Sequence, residues 1–101
     1  MWNKFCIKDS EDIDFISEAF NLLKEPNRIK ILCILSKSKK LCVNELVDAL
    51  DLKQNLVSHH LGMFKRIWLV ESERDVTKVY YRIDKTNFKK LKKIVWNIFN
   101  L

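Results

Sequence analysis

The chain has 101 residues, 48% of them hydrophobic and 32% charged, which is enough for one domain with a modest core and excludes a disordered polymer. One glycine and one proline leave little turn chemistry for an all-β fold, so the composition favours helices. Nineteen Lys and Arg against thirteen Asp and Glu give a net charge of +6. This excess of positive charge favours a polyanionic partner, although a basic soluble protein without such a partner remains an alternative.

The three cysteines, Cys6, Cys33 and Cys42, cannot all pair within one chain. The sequence shows no apolar leader and no run near the roughly 20 apolar residues of a membrane helix. We therefore expect a cytoplasmic protein with reduced thiols and no membrane partner.

The sequence predicts an N-terminal arm over residues 1–9 and a single domain over residues 10–101. Ser10 is predicted to cap a first helix that begins in the acidic pair Glu11 and Asp12. The apolar stripe of this helix is larger than one small domain needs, which indicates a dimer partner. Pro26 fits the first turn of a second helix that runs to about Ser36.

A third helix is predicted over about residues 43–50, after a cationic connector at residues 37–40. The connector could contact phosphate or be a solvated turn. Asp51 suits the left-handed conformation of a tight turn, and a helix over residues 54–66 follows. Two helices joined in this way describe a helix-turn-helix.

The helix over residues 54–66 has two contrasting faces. Val57, Leu61 and Phe64 fall on one apolar stripe, while the opposite face is polar and cationic. No acidic side chain occurs between Lys53 and Val70. Such a helix suits a DNA major groove, because amides and hydroxyls read base edges and cations contact phosphates. An ordinary amphipathic surface helix is the alternative.

A β-hairpin over residues 70–83 follows, with strands predicted at residues 69–73 and 79–83 and a polar tip at residues 74–78. Placed directly after a helix-turn-helix, it is predicted to be the wing of a winged helix, although a surface hairpin could be inert. The last helix starts at Thr86 or Asn87. The predicted fold class is mainly α with a small β-hairpin wing (α+β), a winged helix-turn-helix whose first and last helices form a dimer. The side chains expected in that interface are Ile13, Ile16, Phe20, Leu91, Ile94, Val95 and Ile98.

Several segments together resemble the ArsR/SmtB family of winged-helix repressors. Residues 25–32, EPNRIKIL, resemble its P-x-R-x-x-I-L opening, residues 45–61 its recognition module, and residues 69–70 and 79–82 its wing. The resemblance implies a homodimer that binds a pseudo-palindromic operator in double-stranded DNA and releases it when an effector arrives. The predicted DNA contacts are Lys53, Gln54, Asn55, Ser58, His59, Lys65, Arg66, Arg74, Thr77 and Lys78. His60, beside the apolar face, is expected to be packed and hydrogen-bonded.

The sequence departs from the family's pattern at three places. Trp68 stands where the family usually has a turn glycine, and Gly62 interrupts the middle of the recognition helix. The third departure concerns effectors, because Asn44 replaces the second cysteine of the family's Cys-Val-Cys metal motif at residues 42–44. No cofactor is therefore expected.

A thiophilic metal ion bound by Cys6 and Cys42 and a redox role for Cys33 are weaker alternatives to a protein without these sensors. Cys33 lies in the apolar run ILCIL and is expected simply to pack. The family's C-terminal zinc site is not expected, because residues 86–101 contain no His, Asp, Glu or Cys.

Two other function classes are alternatives to a sequence-specific repressor. An enzyme is not expected, because the sequence shows no nucleophile with a base, no phosphate-binding glycine loop and no metal-spaced cluster. A winged helix that binds DNA without sequence preference, as an architectural protein, or that binds a protein remains open.

Overall fold

A computed structural model describes residues 9–99 of the chain, which form helices α1 to α5 and strands β1 to β3. The prediction of a mainly helical winged helix-turn-helix with a small β-sheet is confirmed. No helix within these residues has the length and apolar character needed to cross a membrane. In chain order the elements are α1 (Ser10–Leu23), α2 (Pro26–Ser36), β1 (Leu41–Cys42), α3 (Val43–Leu50), α4 (Gln54–Arg66), β2 (Val70–Asp75), β3 (Lys78–Ile83) and α5 (Lys85–Phe99).

The helix starts differ in detail from the sequence predictions. Ser10 is the first helical residue of α1 and not its cap; the cap position is Asp9, which makes no side-chain capping bond. Pro26 opens α2 as predicted. α5 begins at Lys85, earlier than predicted, because Asp84 starts the helix through both its carboxylate and its carbonyl oxygen.

The sheet has strand order β1–β3–β2, with both pairs antiparallel. β1 was not predicted, since a two-residue strand is defined by its partner and not by any pattern of its own. The hairpin β2–β3, hereafter the wing, extends further than the predicted strands. Its last pair is Asp75 with Lys78, so only Val76 and Thr77 form the turn. Val76 adopts a φ of 58°, a strained conformation for a β-branched residue.

The two remaining left-handed residues lie in the turns on either side of α4. Asp51 has a φ of 54°, which confirms the predicted turn, and its N–H donates to the carbonyl oxygen of Val47 over 2.8 Å. Trp68 has a φ of 65° and ends the turn after α4. Tryptophan therefore takes the conformation that a glycine would adopt there at lower cost.

One hydrophobic core joins α1 to all the other helices, and it changes the expected dimer surface. Ile16, Leu91 and Ile94 are only 5–6% exposed within the single chain. An ion pair of 2.6 Å between Lys90 and Asp12 links α5 to α1. The expectation that the stripes of α1 and α5 stay uncovered in a monomer is therefore wrong for these three residues. Ile13, Val95 and Ile98 are half-buried, and Phe20 is exposed.

Candidate DNA interface

The helix α4, hereafter the recognition helix, has a buried apolar face and an exposed polar face. Val57, Leu61 and Phe64 have no exposed surface and anchor it in the core. The opposite face exposes amides, a hydroxyl and an imidazole within the first two turns, from Gln54, Asn55, Ser58 and His59. The exposed Lys53 precedes the helix. These groups can donate to and accept from base edges, and the cation and positive end of the helix dipole favour phosphate.

His60 lies on the buried side of the recognition helix and is 3% exposed, so it is not a base-reading residue. Its Nδ1 atom accepts a hydrogen bond of 3.0 Å from Nε of Arg28. The Nε2 atom lies 3.4 Å from Oε2 of Glu25, but no hydrogen bond is formed within the described residues. Glu25 therefore acts on the ring mainly through its charge. The expectation of a packed, hydrogen-bonded histidine is confirmed.

Protonation of His60 is disfavoured in this environment. Burial is the main cause that lowers the pKa of the imidazole, and the charge of Arg28 lowers it further. The carboxylate of Glu25 opposes both effects. Because Nδ1 accepts from Arg28, the neutral ring carries its proton on Nε2, which faces that carboxylate.

The two cations in the last turn of the recognition helix make contacts within the protein. Nζ of Lys65 donates to Oγ of Ser72 over 2.7 Å and so connects the helix to β2. A guanidinium nitrogen of Arg66 lies 3.8 Å from Sδ of Met63, one turn earlier in the same helix. The contact of Lys65 gives it a role in holding the wing, and DNA contact by either residue stays a prediction.

Charges are distributed unevenly along the wing. Near its base, Arg82 pairs with Glu71 at 2.6 Å and with Glu73 at 3.1 Å, and Lys40 pairs with Glu73 at 3.2 Å. Hydrogen bonds from Lys40 and Arg82 lower the pKa of Glu73, so this carboxylate stays ionised at neutral pH. Near the tip, the predicted contacts Arg74, Thr77 and Lys78 are all exposed. Neither tip cation forms an ion pair within residues 9–99.

Gly62 has no packing reason to be a glycine within the described chain. It is exposed, and a Cβ atom built on it would meet no atom within 4 Å. A side chain would therefore fit there in the isolated protein. Close approach of a phosphate backbone, suggested by the sequence, stays a prediction.

The cysteines within the described residues occupy different environments. Cys42 is buried at the start of α3, where its N–H donates to Oε1 of Glu45 over 3.0 Å and lowers the pKa of that carboxylate. Cys33 is exposed, so the expectation that it simply packs is wrong for the single chain. Cys6 lies outside the described residues. Among residues 9–99, no three His, Cys, Asp or Glu side chains are grouped so that they could hold a metal ion.

Comparison with known proteins identifies the family. The model of the arsR family of bacterial regulatory proteins matches residues 25–72, which include α2 to α4. The chain is 31% identical to the transcriptional activator HlyU of Vibrio cholerae over 86 residues, 82% of this chain and 79% of HlyU. The chain belongs to the ArsR family.

Other relatives match a shorter part of this ArsR-family chain. It is 42% identical over 73 residues to the transcriptional repressor SmtB of Mycobacterium tuberculosis, covering 72% of this chain and 53% of SmtB. It is 35% identical over 72 residues to a cadmium resistance regulator, CadC, of Listeria innocua, covering 71% of this chain and 60% of CadC. The alignments thus span little more than half of these two proteins. Because the relatives are transcriptional regulators and not enzymes, the prediction that this chain is no enzyme is confirmed.

Solved structures agree on the fold. HlyU from Vibrio cholerae superimposes with a TM-score of 0.73 at 24% identity, covering 92% of this chain and all of that chain. The homodimeric winged helix-turn-helix domain of Mb0332 from Mycobacterium bovis, described as a possible ArsR-family regulator, gives 0.70 at 25% identity. That superposition covers 87% of this chain and 81% of the other. The winged helix-turn-helix architecture is therefore that of DNA-binding regulators.

Proposed function

We propose that this ArsR-family regulator is a cytoplasmic homodimeric repressor that reads a pseudo-palindromic operator in double-stranded DNA. The recognition helix enters the major groove, and the tip of the wing contacts the adjacent backbone or minor groove. The observation that carries the proposal is the exposed polar face of the recognition helix, whose first two turns carry Gln54, Asn55, Ser58 and His59. That face includes no acidic side chain, and the opposite face is anchored in the core.

Dimerisation is supported by apolar surface that the single chain leaves uncovered. Phe20 is 44% exposed and Ile29 is 51% exposed, and both line an apolar patch shared by α1, α2 and α5. At the other end of α5, Trp96 and Phe99 are 64% and 74% exposed. Exposed apolar area of this kind marks protein interfaces. The homodimeric relative Mb0332 makes a second copy of the chain the proposed partner.

The cysteines bear on which effector the proposed repressor would answer to. One relative is named a cadmium resistance regulator and another a repressor, SmtB, and the donors expected here for a thiophilic ion are Cys6 and Cys42. Cys42 is buried beside Glu45, and Cys6 is outside the described residues. A thiophilic ion bound by Cys6 and Cys42 therefore stays an alternative prediction beside a repressor without a metal sensor.

Selection from random DNA tests the proposal and yields the operator sequence in the same experiment. The full chain, reduced and metal-free, selects duplexes from a random pool, and anisotropy then compares the recovered sequence with its scrambled version. We expect a pseudo-palindrome with half-sites centred about 10 base pairs apart and a preference of at least about 10³ over the scrambled duplex. Binding without sequence preference would favour an architectural protein. No DNA binding at low salt would favour a protein-binding winged helix.

A further inference from the structure

A groove at the base of the wing is lined by no residue of the recognition helix. It has a volume of about 1090 Å³ and is bounded by the end of α2, the base of the wing and the first half of α5. Glu71 lines the groove, whereas the next residue, Ser72, contacts Lys65 of the recognition helix. Successive side chains of a strand point to opposite faces, so Glu71 and Ser72 lie on opposite faces of β2.

Four lysines line this groove, hereafter the cationic groove. Lys39 comes from the connector after α2, and Lys85, Lys89 and Lys92 come from α5. None of the four forms an ion pair within residues 9–99. Four like charges around one concavity repel one another, so an anion bound among them is stabilised by all four.

The other charged groups of the cationic groove are already engaged. Arg82 is paired with Glu71 and Glu73 at the base of the wing. The carboxylate of Asp84 accepts a hydrogen bond of 3.1 Å from the N–H of Asn87 and so caps α5. Asp84 keeps its negative charge, so the four lysines leave the lining with a net positive charge of three, which matches a ligand with several negative charges.

The chemistry of the groove favours phosphate over carboxylate and an ester over a bare ion. Planar, bidentate recognition of carboxylates is typical of arginine, and the arginine of this groove is occupied. Lysine binds phosphate as a point charge. Ile83 and Phe88 are half-buried and contribute apolar surface between the lysines, and Nζ of Lys92 lies 5.5 Å from the centre of the Phe88 ring. An organic group attached to the phosphate can cover that surface.

We propose that the cationic groove binds a small, multiply charged phosphate ester with an aromatic or apolar group. The phosphates contact Lys39, Lys85 and Lys89, and the organic part lies against Ile83 and Phe88. The volume is of the size of small-molecule sites. The groove shares no lining residue with the recognition helix or the tip of the wing, so it is separate from the proposed DNA contacts. The binding site stands independently of the operator function; only its use by an effector rests on that function.

Calorimetric titration of the full chain tests the site directly, in the absence of DNA. The probes are adenosine triphosphate and dodecyl phosphate, each compared with inorganic tripolyphosphate and inorganic phosphate at low salt. We expect at least one ester to bind more tightly than inorganic tripolyphosphate. Equal or tighter binding of inorganic tripolyphosphate than of both esters would overturn the proposed ligand class. No binding of any probe at millimolar concentration would overturn the site.

Matched lysine variants locate the bound anion. The double variant K85A/K89A is expected to raise the Kd of the preferred ester at least about tenfold, because two charge-assisted contacts are lost. The control K30A/K93A removes two exposed lysines of α2 and α5 that do not line the groove, and its Kd should change less than about twofold. Equal losses in the two variants would mean diffuse attraction to surface charge and would contradict the proposal.

A DNA measurement separates this site from the proposed function. K85A/K89A should bind scrambled duplex as the wild type does, while K78A at the wing tip should bind it more weakly. If K85A/K89A loses as much DNA affinity as K78A, the cationic groove is a second phosphate-contact surface and the small-molecule proposal is wrong. Ester binding that persists in a chain without operator preference would leave the groove intact and contradict the repressor function alone.

Discussion

Nε of Arg28 donates a hydrogen bond to Nδ1 of His60 over 3.0 Å, and this contact joins the first turn of α2 to the middle of the recognition helix. The N–H of the same arginine donates to the carboxylate of Glu25, which caps α2. A guanidinium nitrogen also lies 3.5 Å from the carbonyl oxygen of Leu22, near the end of α1. One arginine thus connects three helices, so the orientation of the recognition helix depends on it.

Removal of the arginine side chain should destabilise the fold. In R28A, the buried Nδ1 atom of His60 loses its donor, and we expect the free energy of unfolding to fall by about 1–3 kcal/mol. Urea unfolding measures the change. Lys30, exposed on the same helix, provides the control K30A, which should change the stability by no more than about 0.5 kcal/mol. Equal stability of R28A and K30A would show that the hydrogen bond contributes nothing.

Stability should depend on pH through His60. Its pKa is lowered in the folded chain by burial and by Arg28, whereas the unfolded chain keeps the ordinary value of 6.5. Above pH 6.5 the ring is neutral in both states and the stabilisation is complete. As the pH falls from 6.5 through the folded pKa, the unfolded chain takes up the proton first, and stability is lost.

Urea unfolding between about pH 8 and about pH 5 detects this loss. In H60Q the titrating group is absent, so the decline over that interval should be smaller than in the wild type, even if the variant is less stable throughout. His59 is exposed and supplies the control H59Q, which should keep the wild-type decline. Parallel curves for the wild type and H60Q would assign the pH dependence to other groups.

The left-handed turn at Trp68 predicts a difference between glycine and alanine. Both W68G and W68A remove a side chain that is 70% exposed, so they lose a similar amount of packing. Glycine adopts a φ of 65° without steric cost, whereas alanine keeps the strain. We expect W68G to be more stable than W68A by about 1 kcal/mol in denaturant unfolding. The reverse order would indicate that the turn changes conformation when tryptophan is lost.

Residues of the recognition helix and the wing should affect DNA binding differently. Q54A removes a proposed base contact and should cost about 1–3 kcal/mol on the selected operator but little on scrambled DNA. K78A removes a proposed phosphate contact, so it should weaken both complexes and reduce the slope of log Kd against log salt by about one. Anisotropy titrations over a salt series give both quantities. Equal losses of Q54A on both duplexes would remove Gln54 from the base-reading residues.

Substitutions in the exposed apolar patch shared by α1, α2 and α5 test the proposed dimer more sharply than substitutions in the apolar stripes of α1 and α5. Phe20 is exposed in the single chain, so F20E should weaken the dimer without unfolding the chain. L91E, by contrast, places a charge in the core and should prevent folding. Sedimentation and circular dichroism separate the two effects. N21E, exposed on α1 beside Phe20, is the control; a dimer unaffected by F20E would place the interface elsewhere.

Local sequence patterns predicted most of the fold, because the helices and turns next to the proposed DNA surface each have a strong sequence pattern. The period of Val57, Leu61 and Phe64 defines the recognition helix, and Asp51 marks its turn. Tertiary contacts decided the rest. Periodicity indicates that Ile16 and Leu91 are apolar, but not whether the surface that covers them belongs to the same chain.

Similar limits apply to the site. Lys65 belongs to the polar face by sequence, yet its partner Ser72 is brought near only when β2 folds back beside the helix. The bond from Arg28 to His60 spans 32 positions, and no local pattern announces it. A buried polar residue such as His60, placed beside an apolar stripe, was the available signal that a distant partner existed.

The pairing register of the two wing strands restricts how the length of the wing can change in other winged helix-turn-helix chains. Its strands pair residue for residue from Val70 with Ile83 to Asp75 with Lys78. One added residue in each strand would turn every side chain beyond it to the other face and exchange the surroundings of Arg74 and Lys78. Two added residues in each strand preserve both faces and lengthen the hairpin by about 7 Å. Insertions of four residues, two on each side of the turn, are therefore the smallest that extend the wing without reversing its chemistry.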